Sequence, residues 1–154
     1  MLRSEVILQF LMDQQNTNVG SAPYPLAMII CDAIWRDPAT GKWTLLGCFT
    51  GITATAFPCV QPILAVFVSL TDGRGMTPVK LRLVDAEEEE EPILEAEMQV
   101  EFSDPRMVAD MQMHFQGVSF PRAGEYRFQL SSGGTPLLER RIMVLDGRKK
   151  EQHE

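Results

Sequence analysis

Three cysteines are the side chains of this sequence with the most reactive chemistry. Cys31, Cys48 and Cys59 are far apart along the chain, whereas structural zinc sites take their ligands in close pairs across a tight turn. A thiol in an apolar environment behaves as a small hydrophobic side chain, and we expect this of at least two of the three. The alternative is a strained, redox-labile disulfide between Cys31 and Cys48.

The two histidines do not complete a nucleophilic site in the sequence pattern. Such a site needs a histidine beside the nucleophile to accept its proton. His153 lies in a charged tail, and His114 lies between Met113 and Phe115, on the side of a predicted strand that faces away from the core. We therefore expect an exposed strand histidine, and we predict no catalytic residue, no cofactor or cofactor-binding residue, and no metal ligand.

Carboxylates are abundant but match no known motif. Asp72, Asp104 and the acidic run at 85–91 could bind calcium if loops gathered them, yet EF-hand spacing is absent and a solvated acidic loop is the simpler interpretation. Asp32 is the polar residue to inspect: it either orients a turn or, if buried, must accept hydrogen bonds or have a raised pKa. The signatures GxxxxGK[S/T], GxGxxG, GxSxG and HExxH do not occur.

Composition limits the classes of partner. Apolar residues make up 45% and charged residues 23% of the chain, as in ordinary globular proteins. The net charge of -7 and a pI near 4.9 argue against nucleic acid and membrane partners, because both require a basic face. Glu5 and Gln9 interrupt the N-terminal apolar stretch, which makes a poor signal peptide. With no paired cysteine spacing, these features predict a cytoplasmic protein.

A predicted β-hairpin positions two of the cysteines. Apolar, β-forming runs flank the sequence DPATGK (37–42), in which a proline within the turn and a glycine at its exit are typical of a four-residue hairpin loop. If Asp37 pairs with Lys42, the antiparallel register places Cys31 opposite Cys48. The position of Cys31 opposite Cys48 would then follow from the geometry of the turn and would not indicate a cysteine motif.

Further strands follow at short intervals. The run at 63–70 is apolar on both faces, which predicts a central strand covered on both sides. Strands at 78–84 and 94–102 alternate on either side of the acidic run, so Lys80 and Arg82 should lie beside the glutamates of the second strand. Later alternations predict strands at 109–115, with a helical turn at 105–111 as the alternative, and at 126–130 and 137–145.

This pattern predicts an all-β protein, an antiparallel two-sheet β-sandwich, immunoglobulin-like or similar, with about seven to nine strands. A partly open barrel is the alternative. Residues 1–22 form an N-terminal extension and linker, 23–146 the sandwich domain and 147–154 a charged, flexible tail.

The N-terminal extension carries an apolar stripe at helical spacing. It consists of Val6, Ile7, Phe10 and Leu11. The stripe would either pack as a helix on its own domain or dock with a partner or a second copy of the chain.

Three segments, CDAIWRDPATGKWTLLGCFTGI, AFPCVQPILAVFVSLTDGRG and FPRAGEYRFQLSSGG, resemble a family of uncharacterised bacterial proteins, a domain of unknown function. The GK-x-TLLG-x-F hairpin and the GEYRF strand carry the resemblance, which covers residues 26–145. It implies a compact β-sandwich and no known activity, cofactor or catalytic residue.

Three functions remain open. The first is a non-enzymatic protein-interaction or scaffolding module, which binds a protein partner or forms a homo-oligomer. The second is a small-ligand or carbohydrate-binding sandwich that uses exposed aromatic rings such as Trp35, Trp43 or Tyr24. The third is an enzyme whose site would have to rest on Asp32, the glutamates or a cysteine in a cleft, and a pocket that holds Asp32 beside Cys31 or Cys48 would favour it.

Overall fold

The computed structural model describes residues 22–148, and within that range the chain forms ten β-strands and no α-helix, so no helix there could cross a membrane. Apolar and polar side chains alternate along most strands, which is the period that a sheet with one buried face requires. In chain order the strands are β1 (Tyr24–Cys31), β2 (Ala33–Arg36), β3 (Trp43–Leu46), β4 (Gly51–Ala54), β5 (Cys59–Thr71), β6 (Gly75–Asp85), β7 (Leu94–Phe102), β8 (Ala109–Phe120), β9 (Gly124–Ser132) and β10 (Thr135–Asp146).

The strands form two larger sheets and one hairpin. A three-stranded antiparallel sheet has the order β1-β5-β8, a five-stranded sheet has the order β4-β10-β9-β6-β7, and β2 pairs with β3. β5 is the central strand of its sheet, as its apolar faces predicted. β4 runs parallel to β10, whereas the other strand pairs in the described residues are antiparallel. The five-stranded sheet is curled like half a barrel.

The two larger sheets bury their inner faces in a common core. Val66 on β5, Leu81 on β6 and Phe128 on β9 are fully buried members of this core. Each buried side chain of this size contributes about 1.5 to 3 kcal/mol. A hydrogen bond also joins the two larger sheets. Arg140 Nη1 on β10 donates to the carbonyl of Met28 on β1 at 2.8 Å.

The outer face of the five-stranded sheet is a network of paired charges. Lys80 Nζ lies 2.7 Å from Glu95 and 3.5 Å from Glu97, and Arg82 lies 3.5 Å from Glu95. The predicted pairing of Lys80 and Arg82 with the glutamates of β7 is therefore confirmed. Each exposed pair contributes at most about 1 kcal/mol, so the network neutralises this face more than it stabilises the fold.

A polar corner connects β8 in one sheet to β9 in the other. The buried Tyr126 hydroxyl donates to the Arg122 carbonyl at 2.7 Å, and its ring packs edge-on against Phe120 at 4.9 Å. The Arg122 guanidinium in turn donates to Asp85 Oδ2 from two nitrogens, at 2.9 and 3.0 Å. The corner thus holds the chain where it crosses between sheets.

The all-β, mainly antiparallel prediction is confirmed, and two details differ. Residues 22–148 contain ten strands rather than seven to nine, because the predicted strand before the DPATGK turn divides at Asp32 into β1 and β2, and because β4 was not predicted. Because of this division, β2 and β3 form a third, two-stranded sheet. The helical turn considered at 105–111 is absent: a turn closed by Met107 N and Asp104 O precedes β8.

Candidate interaction surface

The hairpin of β2 and β3 is built by its turn. Asp37 N donates to Lys42 O at 2.8 Å, and Gly41 N donates back to Asp37 O at 2.7 Å. The Asp37 carboxylate accepts from Ala39 N at 2.9 Å, which is an Asx turn. Gly41 has a φ of +71°, which favours glycine. The predicted hairpin and the Asp37–Lys42 register are confirmed.

One face of the hairpin packs on the outer face of the three-stranded sheet. The rings of Trp43 and Phe67 meet edge-on with centroids 5.6 Å apart. The guanidinium of Arg36 lies over the indole of Trp43, 5.1 Å from its centroid, and its Nε donates to Gly41 O. The contact of Trp43 with Phe67 fixes the hairpin on the sheet, and the cation–π contact with Arg36 holds the indole in place within the hairpin.

The opposite face of the hairpin is apolar and exposed. The cross-strand register pairs Trp35 with Thr44 and Ala33 with Leu46, so Trp35 and Leu46 are diagonal neighbours on this face. Trp35 is 55% exposed and Leu46 is 54% exposed. We call Ala33, Trp35, Thr44 and Leu46 the hairpin face. Large apolar side chains grouped on a surface are typical of binding sites.

Asp32 lies at the base of the hairpin, where the chain leaves the three-stranded sheet. Its backbone N–H donates to Leu46 O at 3.0 Å and to Gly47 O at 3.1 Å, while its side chain is exposed. A Cβ at Gly47 would overlap the Asp32 carboxylate, and Gly47 has a φ of +66°. Asp32 thus orients the hairpin base, which is the simpler of the two roles considered for it.

The three cysteines occupy different environments. Cys31 is fully buried, Cys59 is partly buried against the core and Cys48 is exposed, and all three are free thiols. The expectation of hydrophobic behaviour is therefore met by Cys31 and Cys59. Burial is the main cause of a raised pKa at the Cys31 thiol, and the nearby Cys48 adds to it.

A row of polar groups on the outer face of the three-stranded sheet escaped the sequence analysis. Ser69 Oγ donates to Asp110 Oδ1 at 2.6 Å, and His114 Nε2 lies 3.0 Å from Gln112 Oε1. His114 is exposed, as predicted. It pairs with Ala65, four positions from Ser69 along β5, or about 13 Å. His114 therefore cannot accept a proton from Ser69 in this arrangement.

Two arginines hold the acidic run against the five-stranded sheet. Glu87 lies 2.7 Å from Arg122, and Glu89 lies 3.2 Å from Arg127. All of its glutamates are exposed, as a solvated loop between β6 and β7 predicts. Over residues 22–148, no group of three or more His, Cys, Asp or Glu side chains is arranged to hold a metal ion.

The remaining aromatic candidates do not share a surface with Trp35. Tyr24 is 61% exposed but begins β1, at the opposite end of that strand from the hairpin, and Trp43 is partly covered. No single aromatic platform unites the three rings. The apolar stripe of Val6, Ile7, Phe10 and Leu11 lies outside the described residues.

Fold and surface together define an all-β protein of two larger sheets with an aromatic-bearing hairpin fixed on one outer face. The chain belongs to the family described as "Family of unknown function (DUF6941)", whose model matches residues 26–145. This match confirms the predicted resemblance to a domain of unknown function, over the same residues. No curated protein matches the chain.

Proposed function

We propose that this protein is a non-enzymatic interaction module that binds a protein partner through the hairpin face. The single observation that carries the proposal is the exposed pair of Trp35 and Leu46. Tryptophan is enriched among the residues that dominate binding energy at protein interfaces, where it fills an apolar pocket of the partner. A partner with such a pocket fits the hairpin face.

The attachment of the hairpin supports this proposal. Its inner face is held by the contact of Trp43 with Phe67 on β5, and its base by the two hydrogen bonds from Asp32 N. Trp35 therefore projects from a fixed backbone, and binding would lose little conformational entropy. A flexible hairpin would lose more conformational entropy on binding.

The charge distribution supports a protein partner over nucleic acid or an anionic membrane. The net charge is -7, and the cations on the outer face of the five-stranded sheet are paired with glutamates. A surface of this kind lacks the basic face that displaces counterions. We further propose a cytoplasmic location, because free thiols, one of them exposed, suit a reducing compartment.

For the fold, we propose an immunoglobulin-like two-sheet sandwich. In support, the bond from the Tyr126 hydroxyl to the backbone four residues upstream is similar to the tyrosine corner near the start of a late strand in such domains. The core shared by the two larger sheets also favours this architecture. Sandwiches host many functions, so the fold alone does not carry the interaction role.

The test compares three full-length baits in affinity capture from native cells: the unmodified chain, Trp35→Ser and Met76→Ser. Met76 is a matched control, because it is 62% exposed but lies on β6, away from the hairpin. We expect a set of proteins that Trp35→Ser loses and Met76→Ser retains. If all three baits capture the same proteins equally, the hairpin face is not the binding site.

Light scattering over a range of concentrations distinguishes a second copy from a different partner. If the partner is a second copy, the unmodified chain and Met76→Ser form dimers and Trp35→Ser stays monomeric. A parallel measurement on Phe10→Ser tests the proposed docking role of the N-terminal stripe.

A second candidate is a carbohydrate-binding site, favoured by the exposed indole of Trp35. Sugars stack on exposed rings, and Trp43 is too covered to take part. The Trp43→Phe variant retains Trp35 as its only tryptophan. A saturable change in its emission on addition of oligosaccharides would favour this candidate over the interaction module.

A further inference from the structure

The segment that follows β3 returns alongside β1. Phe49 N donates to Ile30 O at 3.0 Å, and Asp32 N donates to Gly47 O at 3.1 Å. Cys31 and Cys48 lie opposite each other between these two bonded pairs, at a non-hydrogen-bonded position. Antiparallel strands bring Cα atoms to about 4.5 Å at such positions, which is within the 4.4–6.8 Å that a disulfide spans.

We propose that Cys31 and Cys48 are a redox-active pair, which forms a reversible disulfide that locks the base of the hairpin to β1. The proposal is independent of the interaction role proposed above. It depends on the register of the two segments and on the different accessibility of the two thiols.

The two thiols have different roles in this reaction. Cys48 is exposed and meets the oxidant, whereas Cys31 is fully buried and its Sγ leans toward the carbonyls of Ala33 and Ala65, at 3.5 and 3.7 Å. To form the disulfide, the Cys31 sulfur must turn from the Ala65 carbonyl toward Cys48 by rotation about the Cα–Cβ bond. Cys48 is thus the attacking thiol and Cys31 the resolving thiol.

With hydrogen peroxide as the oxidant, the reaction has two steps. The Cys48 thiolate attacks one peroxide oxygen, the O–O bond breaks, and the second oxygen leaves as hydroxide, which leaves a sulfenic acid on Cys48. The Cys31 sulfur then attacks the Cys48 sulfur, the S–S bond forms, and the S–O bond breaks. The departing oxygen takes the Cys31 proton, so two thiols and one peroxide give one disulfide and two waters.

The position also favours reversal of the reaction. The expected Cα separation is at the short end of the disulfide range, which strains the bond and makes it easier to reduce. The exposed Cys48 sulfur is open to attack by a thiol reductant. We therefore expect the disulfide to form under peroxide stress and to be reduced again by dithiothreitol.

Cys59 provides an internal control. It lies on β5 six positions from Ala65, the residue that pairs with Cys31. Six strand positions span roughly 20 Å, far beyond the reach of a disulfide. If the disulfide forms because Cys31 and Cys48 are close together, Cys59 must remain a free thiol.

The experiment treats the reduced full-length chain with a small excess of hydrogen peroxide. The protein is then denatured and alkylated, and its intact mass is measured. We expect the unmodified chain to fall from three alkylated thiols to one, and Cys59→Ser from two to none. In trypsin digests of Cys59→Ser, residues 4–36 should be joined to residues 43–74, which places the bond between Cys31 and Cys48.

Two further variants test the order of the steps. Cys31→Ser should accumulate a sulfenic acid on Cys48 that dimedone traps, and Cys48→Ser should keep Cys31 reduced. The proposal is overturned if oxidised Cys59→Ser retains both thiols, carries only sulfinic or sulfonic acid, or forms dimers between chains that reductant separates.

Discussion

Gly47 and Asp32 are packed so closely that residue 47 has no room for a side chain. The φ of Gly47 is +66°, and a Cβ placed on it would overlap the Asp32 carboxylate. This contact lies at the base of the hairpin that presents Trp35. The position and the orientation of the hairpin face therefore depend on it.

We expect Gly47→Ala to destabilise the protein more than Gly75→Ala. Gly75 has a φ of +64° and open space where a Cβ would stand, so alanine there costs only the roughly 1 to 2 kcal/mol of a left-handed backbone. Alanine at 47 must also displace Asp32. Urea unfolding of both variants measures the difference, and adding Asp32→Ala to Gly47→Ala should recover part of it. Equal losses of stability in Gly47→Ala and Gly75→Ala would contradict the close contact between Gly47 and Asp32.

Tyr126→Phe should lower the free energy of unfolding by about 0.5 to 1.5 kcal/mol, because the hydrogen bond from the Tyr126 hydroxyl to the Arg122 carbonyl is lost. Tyr24→Phe is the matched control: Tyr24 is exposed, and we expect a change within about 0.5 kcal/mol. Chemical denaturation at neutral pH measures both variants. A Tyr126→Phe variant as stable as Tyr24→Phe would show that the corner bond contributes nothing.

Glu125 should make stability depend on pH in the acid range. The guanidinium of Arg127, at 3.0 Å, with that of Arg141, at 2.7 Å, holds the pKa of Glu125 below its usual value. Since the folded pKa is lower than the unfolded value of about 4.3, this stabilisation is complete above the unfolded pKa and is lost as the pH falls through the folded pKa.

Glu125→Gln separates this contribution from other acid effects. Its deficit in unfolding free energy relative to the unmodified chain should be largest near neutral pH and should shrink between about pH 5 and pH 2. Parallel denaturation series over that range measure the deficit. A deficit that stays constant with pH would mean that Glu125 has an ordinary pKa in the folded protein.

The two tryptophans should differ in exposure and in stabilising effect. In Trp43→Phe only Trp35 remains, and iodide should quench its fluorescence strongly; in Trp35→Phe, quenching of Trp43 should be weak. Trp43→Ala should lose roughly 1.5 to 3 kcal/mol of stability, and Trp35→Ala no more than about 0.5 kcal/mol. Similar quenching of the two indoles would contradict the packing of Trp43, rather than Trp35, against the sheet.

Local signals were sufficient to predict the hairpin. The sequence DPATGK fixes the turn, and the turn fixes the register, so opposite faces for Trp35 and Trp43 follow from counting residues. The face that would meet the sheet could not be predicted, because it depends on Phe67, which is distant in sequence. The division of the first strand at Asp32 likewise depends on its contact with Gly47.

The polar row on β8 had a weak signal that was available in the sequence. Asp110, Gln112 and His114 alternate with apolar residues, and that pattern places all three on an outer face. The partner of Asp110, Ser69, belongs to a run that is otherwise apolar, and only strand pairing brings the two together. The parallel position of β4 beside β10 also arises from tertiary packing, since the residues of β4 carry no signal for their partner.

The hydrogen bond from Arg140 to the Met28 carbonyl has a consequence for biosynthesis. Ribosomes make the β1 residues more than a hundred positions before Arg140, so that edge of β1 lacks this contact until β10 has left the exit tunnel. At about 5 to 20 residues per second, synthesis of the 112 residues from Met28 to Arg140 takes roughly 6 to 22 seconds. A nascent chain therefore presents an incomplete edge during that time, and a chaperone that shields extended segments would have its opportunity then.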